Sequence, residues 1–289
     1  MSSATVETIA NSDFSPFDDG DLAAYLARIG YPGPVAPDRA TLEAIAARHP
    51  ATIPFENLDP LLDRPVDLSL PSLMAKLVHG GRGGYCFESN GLLLAVLRRI
   101  GFTVDGLAAR VYWNQPNADT PPRTHMLLRV ALADGPVLID VGFGGAVLTG
   151  VLDLVPDVVQ QTPHEPFRLL RDRDLWEQQI RIGETWRTTY RFDLTVQEPV
   201  DYELANWWTS ASPQTHFRQM LIGARSVPGK RITLRNFDFA VHNLGGATER
   251  RTLESSAEVC DTLERDFAIA IPDRIALMRR LETLRSANV

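Results

Sequence analysis

Cysteine is scarce in this chain of 289 residues. Only Cys86 and Cys260 occur, too few for a disulfide framework to organise the fold. Lysine is scarcer than its charge class: among 29 cationic side chains only Lys76 and Lys230 are not arginine. No run approaches the roughly 18 apolar residues of a membrane span. The opening MSSATVETIANSDF lacks the basic start and apolar stretch of a secretion signal. CxxC, HExxH and carboxylate clusters at ligand spacing are all missing, so no metal is expected. The net charge is −7, with the arginines scattered rather than clustered. That balance argues against nucleic acid as a partner, while a local basic patch for a small anion remains compatible with it. A cytoplasmic protein without membrane or nucleic-acid partners is expected.

What is present has ordinary globular proportions, 44% hydrophobic and 22% charged, with enough length to bury a sizeable core. The pattern changes in three stages, which predicts domains at 1–100, 101–205 and 206–289. The first stage reads as helical. Leu22, Tyr25, Leu26 and Ile29 recur at helical spacing before Gly30, and a second helix from Thr41 to His49 is expected to stop at Pro50. A short helix is expected from Pro71 to Val78, and a longer one follows Cys86, with Leu92, Leu93, Val96, Leu97 and Ile100 on one face and Gly101 as its stop. From Leu107 to Leu194 the runs alternate as strands: Leu107–Trp113, Met126–Ala133, Val137–Val141, Trp176–Ile182 and Thr185–Leu194. Their spacing predicts an antiparallel sheet or barrel. The last stage mixes a polar-aromatic stretch from Asn206, two short strands near Arg231 and Phe237, and helices at about Ser255–Ala268 and Pro272–Ser286.

The segment Gly80-Gly81-Arg82-Gly83-Gly84-Tyr85-Cys86 is the most unusual local composition. Glycines let the backbone approach another group closely. A cysteine at a helix N-terminus sits in positive potential that favours its thiolate, and Arg82 would add a nearby cation. The alternative is a small buried side chain with no chemistry, the reading preferred for Cys260. A reactive thiolate needs a base held by a third group. Of six histidines, His49, His79, His164, His216 and His242 sit at helix ends, in loops or in polar contexts. His125 instead opens the apolar strand Met126–Val130. Asp140 interrupts the apolar Val137–Val141, where a carboxylate needs a partner. It could orient an imidazole or cap amides of the following turn. The two residues face each other if the intervening loop centres near Leu132-Ala133, and are offset by about four residues if it centres on Asp134-Gly135. Gly142-Phe143-Gly144-Gly145 lacks the lysine of a phosphate loop and predicts a tight turn. Trp207 and Trp208 could stack a base or pack in a core or interface.

Together, Arg82-Gly83-Gly84-Tyr85-Cys86-Phe87-Glu88, Tyr25–Tyr31, Ile53–Leu58, Arg123-Thr124-His125-Met126 and Asp140–Gly144 resemble the motifs of the arylamine N-acetyltransferases in order and spacing. The C-terminal third is similar only loosely, through Ser210–Pro213 and Phe217. The resemblance implies an α+β fold: an N-terminal helical bundle, an antiparallel β-barrel and a C-terminal α/β lid, with a papain-like Cys-His-Asp triad. It implies Cys86 as nucleophile, His125 as base and Asp140 as its orienter. Phe55, Val111 and Phe143 would line the acceptor pocket, and Thr124, Gly142, Gly144 and Gly145 would lie beside the acyl donor. The implied reaction moves an acetyl group from acetyl-CoA to a small aromatic amine or hydrazine through an acetyl-cysteine. A macrolactam-closing amide synthase of the same family, a thiol hydrolase and a non-catalytic binding module are the alternatives. The residues before Leu22 read as an extension beyond the family's core, and the absence of a mammalian-type insertion after the barrel implies a bacterial-type member.

Overall fold

The computed structural model describes residues 17–114 and 120–286; most of the expected N-terminal extension lies outside the described residues. Helix α1 (Asp19–Arg28) begins where Asp18 and Asp21 each accept the other's backbone N–H, at 2.9 and 3.2 Å, a reciprocal cap. Helix α2 (Arg39–Thr52) starts on Asp38, which accepts from the Thr41 amide at 2.8 Å. It does not stop at Pro50, as the sequence predicts, but continues to Thr52. Proline forfeits one amide donor, yet the last turn is closed by Ile53 N–H to His49 O at 2.7 Å and by Thr52 Oγ1 to Arg48 O at 2.9 Å.

A two-residue strand β1 (Phe55–Glu56), the single turn α3 (Leu58–Leu61) and α4 (Leu70–Leu73) follow. The last of these runs on as a π-turn, Met74–His79. Helix α5 (Cys86–Ile100) then buries Phe87, Leu92, Leu93, Val96 and Leu97 in the first core cluster, beside Tyr25, Ile45 and Leu77.

The second stage is β2 (Thr103–Val111), β3 (Arg123–Leu132), β4 (Gly135–Ile139), β5 (Leu152–Asp153), β6 (Val159–Gln160), β7 (Phe167–Asp172), β8 (Leu175–Ile182) and β9 (Thr185–Val196). They form one antiparallel sheet in the order β5-β4-β3-β2-β9-β8-β7-β6. Its two edge strands meet through Gln160, which accepts from Asp153 N–H at 2.7 Å and donates to Asp153 O at 3.0 Å. The sheet is thus a nearly closed barrel, filled by Leu107, Leu127, Leu138, Phe167, Trp176, Tyr190 and Phe192.

Helix α6 (Pro199–Ala211), strands β10 (Ile222–Val227), β11 (Lys230–Arg235), β12 (Asp238–Asn243) and β13 (Thr248–Thr252), and helices α7 (Ser256–Arg265) and α8 (Arg274–Ser286) complete the chain. Helix α6 was not legible as a helix because its buried face is mostly polar: Tyr202, Asn206, Thr209 and Ser210 point inward, while Val200, Leu204, Trp207 and Trp208 are exposed. Both tryptophans thus lie outside the core. The second sheet, β1-β10-β11-β12-β13, takes its first strand from the N-terminal region. Cys260 lies in the core cluster of the C-terminal part with Leu263 and Phe267, as its sequence context predicts. Helices, then an antiparallel barrel, then a mixed α/β part: this is the expected α+β architecture.

Candidate active site

The approach to Cys86 is built by close backbone packing. Gly84 N–H donates to Pro54 O at 3.2 Å, and Glu56 N–H donates to Gly84 O at 3.1 Å. A Cβ on Gly83 would overlap the Pro54 carbonyl, so no other residue passes there. The chain then enters α5 with Tyr85 as N-cap and Cys86 as the first helical residue. The unpaired amides of that turn and the helix dipole place partial positive charge at the sulfur. Glu88 reaches back to the Tyr85 amide at 3.1 Å and also takes the Lys76 ammonium at 2.6 Å. Lys76 comes from the π-turn and pairs with Asp59 as well, at 2.6 Å. Its burial works against the charge, but Glu88, Glu56 and Asp59 together raise its pKa. Burial raises that of Glu88.

Arg82 does not supply the cation expected beside the thiol. Its guanidinium pairs with Glu56 at 2.7 Å and Asp59 at 3.1 Å, inside the same buried network. Carboxylates at these positions attract it more strongly than a neutral sulfur would. The positive potential at Cys86 therefore comes from the helix terminus and from His125.

His125 and Asp140 meet, in neither of the two registers the sequence allows. Strands β3 and β4 pair Leu132 with Gly135 and Leu128 with Ile139. Continued by one residue, that register sets Asp140 opposite Leu127, one diagonal step from His125 on the same face. The diagonal is bridged by His125 Nε2 to Asp140 Oδ2 at 2.7 Å. With Nε2 held there, Nδ1 is left for Cys86, whose thiol shares a hydrogen bond with the imidazole. The Cys86 sulfur also lies 3.5 Å from the Thr124 carbonyl. Burial disfavours a charged imidazole, but Asp140 and Cys86 overcome it and push the His125 pKa up to about 10. Burial would likewise raise the Asp140 pKa; His125, Asn90 and the Gly142 amide hold it below the ordinary carboxylate value. The alternative role considered for Asp140 is fulfilled too, since Oδ1 accepts from Gly142 N–H at 3.0 Å.

Two further residues complete this carboxylate's surroundings. Asn90, one turn after Cys86, donates to Asp140 Oδ1 at 2.9 Å and accepts from Val141 N–H at 3.0 Å. Tyr190 bonds Asp140 through its hydroxyl and lies over the His125 ring, centroids 4.9 Å apart. Sequence reading passed over both. The i, i+4 spacing of Cys86 and Asn90 on one helix was the available signal for the first. Tyr190 had none beyond a strand aromatic.

Around this cluster Phe143 meets the His125 ring edge-on at 5.1 Å. Phe217 packs against Phe55 at 5.9 Å and Tyr85 at 5.5 Å. Gly144 lies against the Phe55 ring, and Val111 pairs with Tyr190 across β2 and β9. Gly142 abuts the start of α5: a Cβ there would stand 2.6 Å from the Cys86 Cα. The other histidines are engaged elsewhere. His49 bonds Tyr25, His164 bonds Thr149 and Val227, His242 lies between Thr233 and Thr248, His216 meets the Phe217 ring edge-on, and His79 is exposed. Among the described residues no group of histidine, cysteine and carboxylate side chains could hold a metal.

A family model described as N-acetyltransferase matches residues 38–276. The chain belongs to the arylamine N-acetyltransferase family. It is 44% identical over 253 residues to an arylamine N-acetyltransferase of Escherichia coli K12, covering 87% of this chain and 90% of that one. It is 45% identical over 257 residues to one of Mycolicibacterium smegmatis, covering 88% and 93%. Among solved structures, the Mycobacterium marinum arylamine N-acetyltransferase in complex with CoA superposes with a TM-score of 0.88 at 40% identity, covering 91% of this chain and 99% of that one.

Proposed function

We propose that this chain is an acyltransferase that moves an acetyl group from acetyl-CoA to an arylamine or arylhydrazine in two half-reactions through Cys86. The contiguous Cys86–His125–Asp140 cluster, buried at the head of α5, carries the reading. In the first half-reaction the Cys86 thiolate attacks the thioester carbonyl. The carbon–sulfur bond to CoA breaks, and the departing CoA thiolate takes the imidazolium proton. Exchange of one thioester for another is nearly isoenergetic, so the acetyl-cysteine forms without a strong driving force. In the second half-reaction the amine nitrogen attacks, Nδ1 of His125 takes its proton, and Cys86 leaves as a thiolate beside the restored imidazolium. Amide formation drives this step. Amides at the start of α5, that of Cys86 included, are the donors for the oxyanion.

Phe55, Val111 and Phe143 are the proposed walls for the aromatic acceptor. Thr124 and the backbone of Gly142, Gly144 and Gly145 are the proposed neighbours of the donor. Among the described residues no helix is long and apolar enough to cross a membrane, and a reducing cytoplasm suits two free thiols.

Incubation with acetyl-CoA alone tests the reading. Mass spectrometry is expected to find one acetyl group on the Cys86 peptide, discharged by an added aromatic amine to give the acetylated amine. Release of acetate without a retained adduct would assign a hydrolase instead. Replacement of Cys86 by alanine is expected to lower transfer by on the order of 10⁴-fold or more; full residual activity would overturn the proposal.

A further inference from the structure

Behind Tyr190 the barrel encloses a polar chain that none of the groups above requires. Gln178 on β8 and Thr189 on β9 are both fully buried in an otherwise apolar interior. Gln178 Nε2 donates to the Tyr190 hydroxyl oxygen at 2.6 Å. Thr189 Oγ1 lies 2.9 Å from Gln178 Oε1 and 3.0 Å from Gln178 O. An irregularity makes this possible. Gln178 pairs with Tyr190 and Gln179 with Thr188, so Thr189 is an extra residue in β9. A β-bulge of this kind re-aims side chains. Here it turns two consecutive residues, Thr189 and Tyr190, inward together, and the Thr189 carbonyl accepts the amides of Tyr112 and Trp113 at 2.9 and 3.1 Å.

The direction of each hydrogen bond follows from Asp140. A phenol beside an ionised carboxylate must donate its one proton to it, so the Tyr190 oxygen is left to accept. Only the amide nitrogen of Gln178 satisfies that oxygen, and the amide oxygen then points to Thr189. With Tyr190 in place, Asp140 accepts from four donors: His125, Asn90, Gly142 N–H and Tyr190. That matches the capacity of a carboxylate.

We infer that Gln178, held by Thr189, is a positioning residue. It locks the Tyr190 hydroxyl so that its proton goes to Asp140, and through that bond it tunes the Cys86–His125 pair. The inference rests on Cys86 and His125 acting together, but its test needs no acyl donor. A carboxylate deprived of one donor projects more negative charge onto the imidazole and sulfur, and the thiolate then forms less readily. The titratable groups facing the pair are Asp140, Tyr190, Tyr85 and Tyr202, and all are retained in a Gln178 variant.

The experiment follows the rate of Cys86 alkylation by iodoacetamide against pH, read on the Cys86 peptide, with thermal melting as a control. Gln178→Met is expected to move the acid limb of the profile up by about half a pH unit, roughly a threefold slowing at a fixed pH on that limb. Tyr190→Phe should move it as far or further, and Thr189→Val in the same direction by less. In the Tyr190→Phe background, Gln178→Met should add nothing further. An equal shift with and without Tyr190, or a loss of stability with the limb unmoved in both Gln178→Met and Thr189→Val, would overturn the inference. Loss of acetyl transfer with this pattern intact would instead count against the proposed reaction alone.

Discussion

His49 and His125 are both fully buried, yet their protonation is pulled in opposite directions, and the neighbours decide it. His49 meets the Tyr25 hydroxyl at 2.9 Å and the field of Arg28. Burial first, then that cation, drives its pKa down to about 3. His125 meets Asp140, and its pKa rises. The signs of the stability effects differ accordingly. For His49 the unfolded chain binds the extra proton between pH 6.5 and about 3, so folding stability falls as pH drops through that window, by about 1.4 kcal/mol per pH unit at most. For His125 the stabilisation is complete below its ordinary value and is lost as pH rises through about 10. Melting curves from pH 7 to 4 are therefore expected to show an acid slope that His49→Gln, which keeps an acceptor for Tyr25, makes shallower. An unchanged slope would assign the acid sensitivity to other groups.

At the scale of elements, the site depends on how closely the Gly142 turn presses on the first turn of α5. A methyl group at Gly142 would meet the Cys86 Cα at 2.6 Å, the Asn90 amide nitrogen at 2.9 Å and the Cys86 carbonyl at 3.2 Å. Two of these are backbone atoms that cannot swing away. Gly142→Ala is expected to cost about 1–3 kcal/mol by overpacking, visible as a melting temperature several degrees lower. Because the shift would separate Asp140 from Asn90, acetyl transfer should fall by at least about tenfold. A variant that melts earlier but transfers acetyl at the original rate would show that the turn serves stability only. The same elements illustrate what register decides. The β3–β4 hairpin sets His125 and Asp140 on a diagonal, and only the side-chain reach of the imidazole joins them.

Across the whole molecule, the N-terminal region and the C-terminal sheet are joined just beside the site. Strand β1 pairs Phe55 with Ala224 and Glu56 with Gly223. Asn57 then donates to Phe217 O and Met220 O, each at 2.8 Å, and accepts from Ile222 N–H at 2.8 Å. This one side chain anchors the segment that holds Phe217 against Phe55. Asn57→Ala removes three hydrogen bonds and leaves two half-buried carbonyls and an amide without this partner, a loss of roughly 1–3 kcal/mol in denaturant unfolding. The KM for an aromatic amine should rise by more than kcat falls, since Phe217 packs near the proposed acceptor wall while the Cys86–His125–Asp140 contacts do not involve Asn57. A fall confined to kcat would contradict that division.

Much of this arrangement was legible in the residues alone. Helix spacing and caps delimit α1 and α5, the Gly83-Gly84 pair marks a place where only backbone fits, and a carboxylate inside an apolar strand announces a buried partner. These signals are local, because they depend on neighbours within a turn or a strand. The rest depended on contacts distant in sequence. The partner of Arg82 is set by Glu56 and Asp59, which the helical region folds back over it. Helix α6 buries a mostly polar face against Tyr85 and Val66, so it carried no apolar period to read. Asn90, Tyr190 and Gln178 acquire meaning only when the barrel closes around Asp140. The sequence by itself determined which side chains are candidates for chemistry and roughly where helices such as α1 and α5 and the β3–β4 strands run. The tertiary structure decided which of them face one another, because hydrogen-bond direction and the charge carried by a buried group are properties of neighbours that chain order does not specify.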